Sequence, residues 1–267
     1  MLFGIRPTFA LRLVAAAATF AVAVGLGAAP ASADEKVVRI GTEGAYPPFN
    51  EVDADGNLKG FDIDIAKALC EKMEVKCEFV AQDWDGIIPA LQAKKYDAIV
   101  ASMSITEERK KQVDFTDKYY NTPTQFIAAK GMDVGEATAA DLAGKTLGAQ
   151  SSTIQADMLE KVYTDSTVKL YGTVDELYAD LSSGRVDAAL VDKLVSDEWL
   201  KTEAGAGYEF VGPPMFEPKE ILGEGVGIAV RKGDDELRLA FNAAIKAILE
   251  DGTYEKINAE YFPFSIY

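Results

Sequence analysis

Leu91-Gln-Ala-Lys-Lys-Tyr-Asp97-Ala-Ile-Val100 is echoed later in the chain by Leu181-Ser-Ser-Gly-Arg-Val-Asp187-Ala-Ala-Leu190. Each stretch reads as the end of a helix, a short turn and a buried strand. Upstream of each lies a second matched pair, Ile40-Gly41-Thr42-Glu43 and Leu147-Gly148-Ala149-Gln150. Either echo alone is short enough to arise by chance. Their recurrence in the same order predicts two similar α/β lobes.

The rest of the pattern agrees. Apolar strand-like runs (Val37–Ile40, Ala98–Ala101, Thr146–Ala149, Ala188–Val191, Gly227–Val230) alternate with helical periods (Phe61–Met73, Thr173–Ser182, Asp234–Leu249), which is α/β layering. In the last helix Leu237, Phe241, Ile245 and Ile248 form one apolar stripe, and Asp251-Gly252 stops it. Connections between the lobes fall near Tyr120–Gln125, with Asn121-Thr122-Pro123, and near Leu222–Val226, with Gly223-Glu224-Gly225. Both are expected hinges. The chain would cross twice, so the first lobe is expected to be discontinuous, 34–121 with 226–267, and the second to span 122–225.

Open α/β sheets bind ligands beyond the carboxyl ends of their strands. The residues just past the echoed strands are therefore candidates: Glu43 with Gln150, and Ser102 with Asp192. They would bring polar groups from both lobes around one cleft.

Composition narrows the chemistry. The chain has 267 residues, 48% hydrophobic and 26% charged, which excludes disorder and a small disulfide framework. Forty-three acidic against 27 basic residues give a formal charge of −16, which argues against a nucleic-acid surface. There is no histidine. That removes Ser-His-Asp and Cys-His catalysis and every His-based zinc site. No phosphate-cradling loop or clustered metal ligands appear, so no cofactor or metal is expected.

Arg6 and Arg12 precede an uncharged run from Leu13 to Ala31, closed by Ala31-Ser32-Ala33. This is a secretory leader over 1–33, with cleavage expected after Ala33 and a periplasmic product. A membrane anchor is the alternative for a run of this length. No cysteine stands at the junction, and no second spanning run follows. Export puts Cys70 and Cys77, the only pair, in an oxidising compartment. A bridge would staple a helix end to the next strand, contributing about 2–3 kcal/mol for so short a loop. Two buried free thiols are the alternative.

Ser102-Met-Ser-Ile-Thr-Glu-Glu-Arg109 reads as a strand end entering a helix capped by Thr106, with two acids in its first turn. Free N–H groups there, together with Arg109, could hold a carboxylate; a solvated charged face is the competing reading. Asp192 begins a helix after an apolar strand and needs a cationic partner, either a ligand ammonium or a local Lys or Arg. Arg109 and Asp192, on opposite lobes, could together grip a zwitterion. Tyr46 and Trp84, loop aromatics with charged neighbours, could flank a cationic side chain with Glu43 as its counter-charge; core or surface positions are the bland alternative.

Across these segments the sequence resembles the periplasmic solute-binding proteins of polar amino-acid ABC transporters (family 3), nearest the lysine/arginine/ornithine- and histidine-binding branch. The resemblance rests on Gly41-Thr-Glu-Gly-Ala-Tyr-Pro-Pro-Phe49, Gly60-Phe-Asp-Ile-Asp64, Asp83–Leu91, Tyr96–Arg109, Gly184–Asp192 and Asp251-Gly-Thr-Tyr254. It covers essentially all of the chain after the leader. It implies the type II periplasmic-binding-protein fold, two α/β lobes closing over the ligand as a hinged clamp. It implies that Arg109, with the backbone around Ser104 and Thr153, binds an α-carboxylate. Asp192, Ser102 and Ser104 would take the α-ammonium, Tyr46 and Trp84 would flank the side chain, and Glu43 with Gln155 would meet its far end. Ala101, Met103 and Gln150 complete the implied ligand contacts, and the Cys70–Cys77 bridge also matches this branch. Some positions depart: Glu43 stands where a shorter Asp is common, Ala101 where a Ser can occur, and Ser152-Thr153-Ile154 where Gly-Thr-Thr or Gly-Ser-Thr is usual.

The expected function is therefore binding without chemistry. The ligand would be arginine, lysine or ornithine, with histidine in the wider set, and the receptor a monomer delivering it to the membrane permease of an ABC importer. An opine-binding protein, an exported dehydratase on the same scaffold and a chemoreceptor ligand carrier are the competing functions.

Overall fold

The computed structural model describes residues 36–267; the expected leader and its cleavage after Ala33 lie outside the described residues. The described chain forms two five-stranded sheets with helices packed on them, plus a small three-stranded sheet.

Strand β1 (Val37–Thr42) leads into the small sheet of β2 (Ala45–Tyr46), β3 (Asn50–Val52) and β4 (Leu58–Lys59). Helix α1 (Phe61–Lys72), β5 (Lys76–Ala81), α2 (Ile87–Gln92), β6 (Ala98–Ile99), the single turn α3 (Glu107–Lys110) and β7 (Val113–Tyr120) follow. The chain then enters the second sheet with β8 (Thr124–Ala129), β9 (Thr146–Gln150), α4 (Ile154–Val162), β10 (Thr167–Tyr171) and α5 (Val174–Ser182). That sheet is completed by β11 (Ala188–Asp192), α6 (Lys193–Leu200) and β12 (Tyr208–Met215), before the short α7 (Lys219–Leu222). Finally β13 (Val226–Arg231) returns to the first sheet, and α8 (Asp235–Glu250) and α9 (Thr253–Tyr261) end the chain. The sheet orders are β5-β1-β6-β13-β7 and β10-β9-β11-β8-β12. This is the two-lobed type II architecture, with the first lobe discontinuous. Residues 121–123 carry the chain to the second sheet, and residues 216–225, with α7 among them, carry it back through the turn 223–225.

The echo is visible as register. Ile40 and Gly41 pair with Ala98 and Ile99 in the first sheet, as Leu147 and Gly148 pair with Ala188 and Ala189 in the second. The repeated Asp has a structural task in both lobes: Asp97 Oδ2 accepts from Arg39 N–H at 3.1 Å, and Asp187 Oδ2 from Thr146 N–H at 2.7 Å. The repeated Gly is a clearance. A Cβ on Gly41 would lie 2.5 Å from the Tyr96 ring, and one on Gly148 would lie 2.4 Å from Leu177 Cδ1.

The helices bury the faces that their periods require. In α1, Ile65 and Leu69 are wholly buried, and Cys70 near its end is bridged to Cys77 of β5. In α8, Phe241, Ile245 and Ile248 form the buried stripe, with Leu237 packed partly against it. The strand expected over Ala98–Ala101 is shorter, because the chain leaves the sheet after Ile99 and Ser102 turns into the left-handed region with φ 53°. Among the described residues no helix is long and apolar enough to cross a membrane.

Candidate functional site

One recess lies where the strand tips of the two lobes meet, with about 660 Å³ of non-atom space, its mouth included. Glu43, Tyr46, Trp84, Ala101, Ser102, Ser104, Arg109, Gln150, Thr153, Gln155 and Asp192 all line it. Met103 does not. Its side chain is wholly buried in the first lobe's core, and its carbonyl accepts from Gly227 N–H. Ser102, with φ of 53°, turns the chain out of the sheet just before it. Ser102 and Ser104 open on the recess while Met103 packs behind them.

Arg109 is placed by its one-turn helix. Thr106 caps it, its Oγ1 accepting from Arg109 N–H at 3.2 Å. Glu107 pairs with Lys110 and Glu108 with Lys111 on the exposed side. The solvated charged face and the inward arginine are thus both real, on different sides of one turn. The Arg109 guanidinium donates to the Ser104 carbonyl at 3.0 Å and the Ser152 carbonyl at 3.1 Å, and lies 5.2 Å from the Trp84 ring centroid. No carboxylate pairs with it among the described residues. Burial lowers its pKa to about 10, showing how incompletely its charge is compensated.

Asp192 ends β11 and caps α6, its Oδ1 accepting from Leu194 N–H at 2.8 Å and Val195 N–H at 3.4 Å. Its Oδ2 accepts from the Thr122 hydroxyl, on the crossing segment. No Lys or Arg forms an ion pair with it among the described residues, so the local salt bridge weighed from sequence is not there. Burial pushes its carboxyl up to about 6, opposed by the Thr122 hydroxyl and the two amides. The recess therefore holds a partly desolvated cation from one lobe and a partly desolvated anion from the other, and neither forms an ion pair among the described residues.

Glu43 is the third charged group. Gln150, its counterpart in the echo, donates to Glu43 Oε1 at 2.5 Å and to the Gly172 carbonyl at 3.0 Å. Burial raises the Glu43 carboxyl to about 7, outweighing the Gln150 hydrogen bond, with Asp83 and Asp85 adding repulsion. A cation beside it would reverse this shift.

Thr153 caps α4, its hydroxyl accepting from Ala156 N–H at 3.1 Å and donating to the Gln150 carbonyl at 2.7 Å. Thr153, Ile154 and Gln155 bring the N-terminal end of this nine-residue helix to the recess, on the same cavity as Arg109. A helix N-terminus and a guanidinium together suit an anion. The lobes also touch directly: Trp84 Nε1 donates to the Ser152 carbonyl at 3.1 Å, and the Ser151 hydroxyl lies 2.9 Å from both Asp85 carboxylate oxygens.

Sequence reasoning missed several lining residues. Thr122 sat in a predicted hinge, with no chemical signature of its own. Met215 ends β12, Phe216 follows it and Leu222 ends α7, a stretch that no echo marked.

Residues 38–264 match the profile of the bacterial extracellular solute-binding proteins, family 3. The L-arginine-binding protein of Pseudomonas aeruginosa is 47% identical over 250 residues, 92% of this chain and 96% of that protein. The lysine/arginine/ornithine-binding periplasmic protein of Escherichia coli is 41% identical over 249 residues, 91% of this chain and 95% of that one. Among solved structures, an ancestral arginine-binding protein bound to arginine superposes with a TM-score of 0.79 at 43% identity, covering 85% of this chain and 99% of its own.

Proposed function

The chain belongs to the bacterial extracellular solute-binding proteins, family 3, and from that premise we propose that it binds a cationic L-amino acid outside the cytoplasm and delivers it to the permease of an ABC importer. Arginine, lysine and ornithine are the primary ligands, with histidine in the wider set. The leader over 1–33 is removed after Ala33, and the mature receptor acts in the periplasm as a monomer.

The observation that carries this reading is the pair of partly buried charges without an ion-pair partner among the described residues, Arg109 and Asp192, presented to one recess by different lobes. A zwitterion supplies both missing partners at once. Arg109, with the backbone of Ser104 and Thr153 at the α4 N-terminus, takes the α-carboxylate. Asp192, Ser102 and Ser104 take the α-ammonium, Tyr46 and Trp84 flank the side chain, and Glu43 with Gln150 and Gln155 meets its cationic end. A ligand that touches both lobes binds their closed arrangement more tightly than the open one, so occupancy drives closure. The segments 121–123 and 223–225 serve as the hinges between lobe 1 (34–121 with 226–267) and lobe 2 (122–225).

No reaction is part of this proposal. Each charged group is used to hold a charge rather than to move a proton, and turnover of prephenate or arogenate by the purified protein would overturn it. An opine carries an extra carboxylate, which Glu43 would repel. Titration calorimetry with arginine, lysine, ornithine, histidine and glutamine is the direct test. Glu43→Gln should weaken arginine far more than glutamine. Equal losses would remove Glu43 from side-chain recognition, and absence of binding to all five would remove the function.

A further inference from the structure

Asp62 is a wholly buried carboxylate that plays no part in the site as described so far. It stands in the first turn of α1 and receives three donors from three other parts of the first lobe. Tyr119 of β7 donates to Oδ1 at 2.6 Å; Ser102, just past β6, and Asn50 of β3 donate to Oδ2 at 2.9 and 3.0 Å. Burial pushes its carboxyl up to about 6, and those donors pull the other way, so at neutral pH it is ionised and only accepts. The N-terminal end of α1 favours the same charge.

The consequence falls on Ser102, which lines the recess. A serine hydroxyl has one proton, and this one is committed to Asp62. What Ser102 Oγ can offer the recess is lone pairs alone. Its backbone supports the same aim: φ is 53°, a conformation that a residue with a Cβ holds only when its surroundings impose it. Asn50 is polarised likewise. Its amide N–H is spent on Asp62, and its Oδ1 accepts from Gly44 N–H at 2.8 Å, fixing the loop between Glu43 and Tyr46.

We infer that Asp62 is a positioning residue that makes Ser102 an obligate acceptor toward the recess, so that the first lobe selects a ligand presenting N–H donors, a primary ammonium, at that point. This rests on the amino-acid-binding reading above and deepens it. Asp62 itself touches no ligand. Asp62→Asn supplies an N–H of its own to Ser102 and releases the hydroxyl proton toward the recess, where it opposes the ammonium.

The test is calorimetry on wild type, Asp62→Asn, Ser102→Ala and the double variant with two ligands. One is arginine; the other is 5-guanidinopentanoic acid, which keeps the carboxylate and guanidinium but lacks the α-amino group. Alanine at 102 keeps the Cβ, and with it the same backbone conformation. Asp62→Asn should weaken arginine about tenfold or more and the deaminated acid less than about threefold. The double variant should stay within about twofold of Ser102→Ala, because both changes remove one contact. Equal losses on the two ligands, or additive losses in the double variant, overturn the positioning role. If Asp62→Asn does not fold, Ser102→Ala decides: a fall of about tenfold in the arginine-to-deaminated-acid ratio supports the role, and an unchanged ratio overturns it. A wild type that binds neither ligand, or fails to distinguish them, instead removes the amino-acid reading itself.

Discussion

Asp97 and Asp187 open equivalent strands in the two lobes, yet they are held differently. Asp97 is gripped by Arg39 at 2.9 Å and Arg231 at 3.2 Å as well as by a backbone amide. Asp187 accepts from the Thr146 amide and has no ion pair among the described residues. Further along the same strands the contrast becomes chemical. The first lobe ends in Glu43 and Ser102, the second in Gln150 and Asp192, at matching positions. Repetition is kept where it serves folding, in the register, the Gly clearance and the strand-opening Asp. It is dropped at the strand tips, where two unlike lobes can meet the two unlike ends of one small molecule.

The comparison can be broken most forcefully at its charged tips. Arg109→Ala from the first lobe and Asp192→Ala from the second should each cost about 2–5 kcal/mol of amino-acid affinity, since each strands the opposite ligand charge in a buried place. Calorimetry finding either variant within a few-fold of wild type would mean that the lobes do not divide the zwitterion between them. The glycines test the frame instead. Gly41→Ala meets the Tyr96 ring, whose hydroxyl is tied to the Ile87 carbonyl at 2.5 Å, and should lower unfolding stability by about 1–3 kcal/mol. Gly148→Ala meets the tip of Leu177, which can rotate, and should cost less in the same denaturant melts. A reversed order would show that the Leu177 tip does not yield where the Tyr96 ring does.

Protons separate the lobes more finely. Burial raises Glu43 to about 7 and Asp192 to about 6, so the unfolded chain loses these protons at lower pH than the folded protein does. Their contribution to stability is therefore present at acid pH and lost as pH rises through the folded values, the reverse of a salt-bridged carboxylate. A bound cation favours the ionised form, so near pH 6 arginine should expel protons from both groups and glutamine chiefly from Asp192. Calorimetry in buffers of different ionisation enthalpy reads this directly, and Glu43→Gln should erase the difference between the two ligands. The smallest effect belongs to the echoed turns. Lys94 and Gly184 occupy equivalent places with φ of 61° and 72°. Lys94→Gly should leave stability unchanged or raise it by up to about 1 kcal/mol, whereas Gly184→Ala should lower it, as followed by thermal unfolding.

Much of this was legible in the sequence because it depends on period and repetition. The strands around Ile40, Ala98, Leu147 and Ala188 announce themselves as apolar runs, and the α8 stripe as a helical one. Arg109 and Asp192 could be singled out because a charge beside an apolar strand end demands a partner. Met103 lies off the recess although a contiguous motif carried over whole includes it; an apolar side chain between two serines belongs in the core. Thr122 and Asp62 were illegible for another reason. Their importance lies in which hydrogen-bond partner they orient, and that partner is 70 residues away for Thr122 and 40 for Asp62. Pocket walls from Met215 and Phe216 depend likewise on how β12 lies across β8, which no local pattern encodes.

The Ser152 carbonyl, with φ of 58° at that residue, accepts from both Trp84 and Arg109 of the opposite lobe. A single peptide oxygen thus clasps the two jaws together, and any motion that parts them must give up both donors at once.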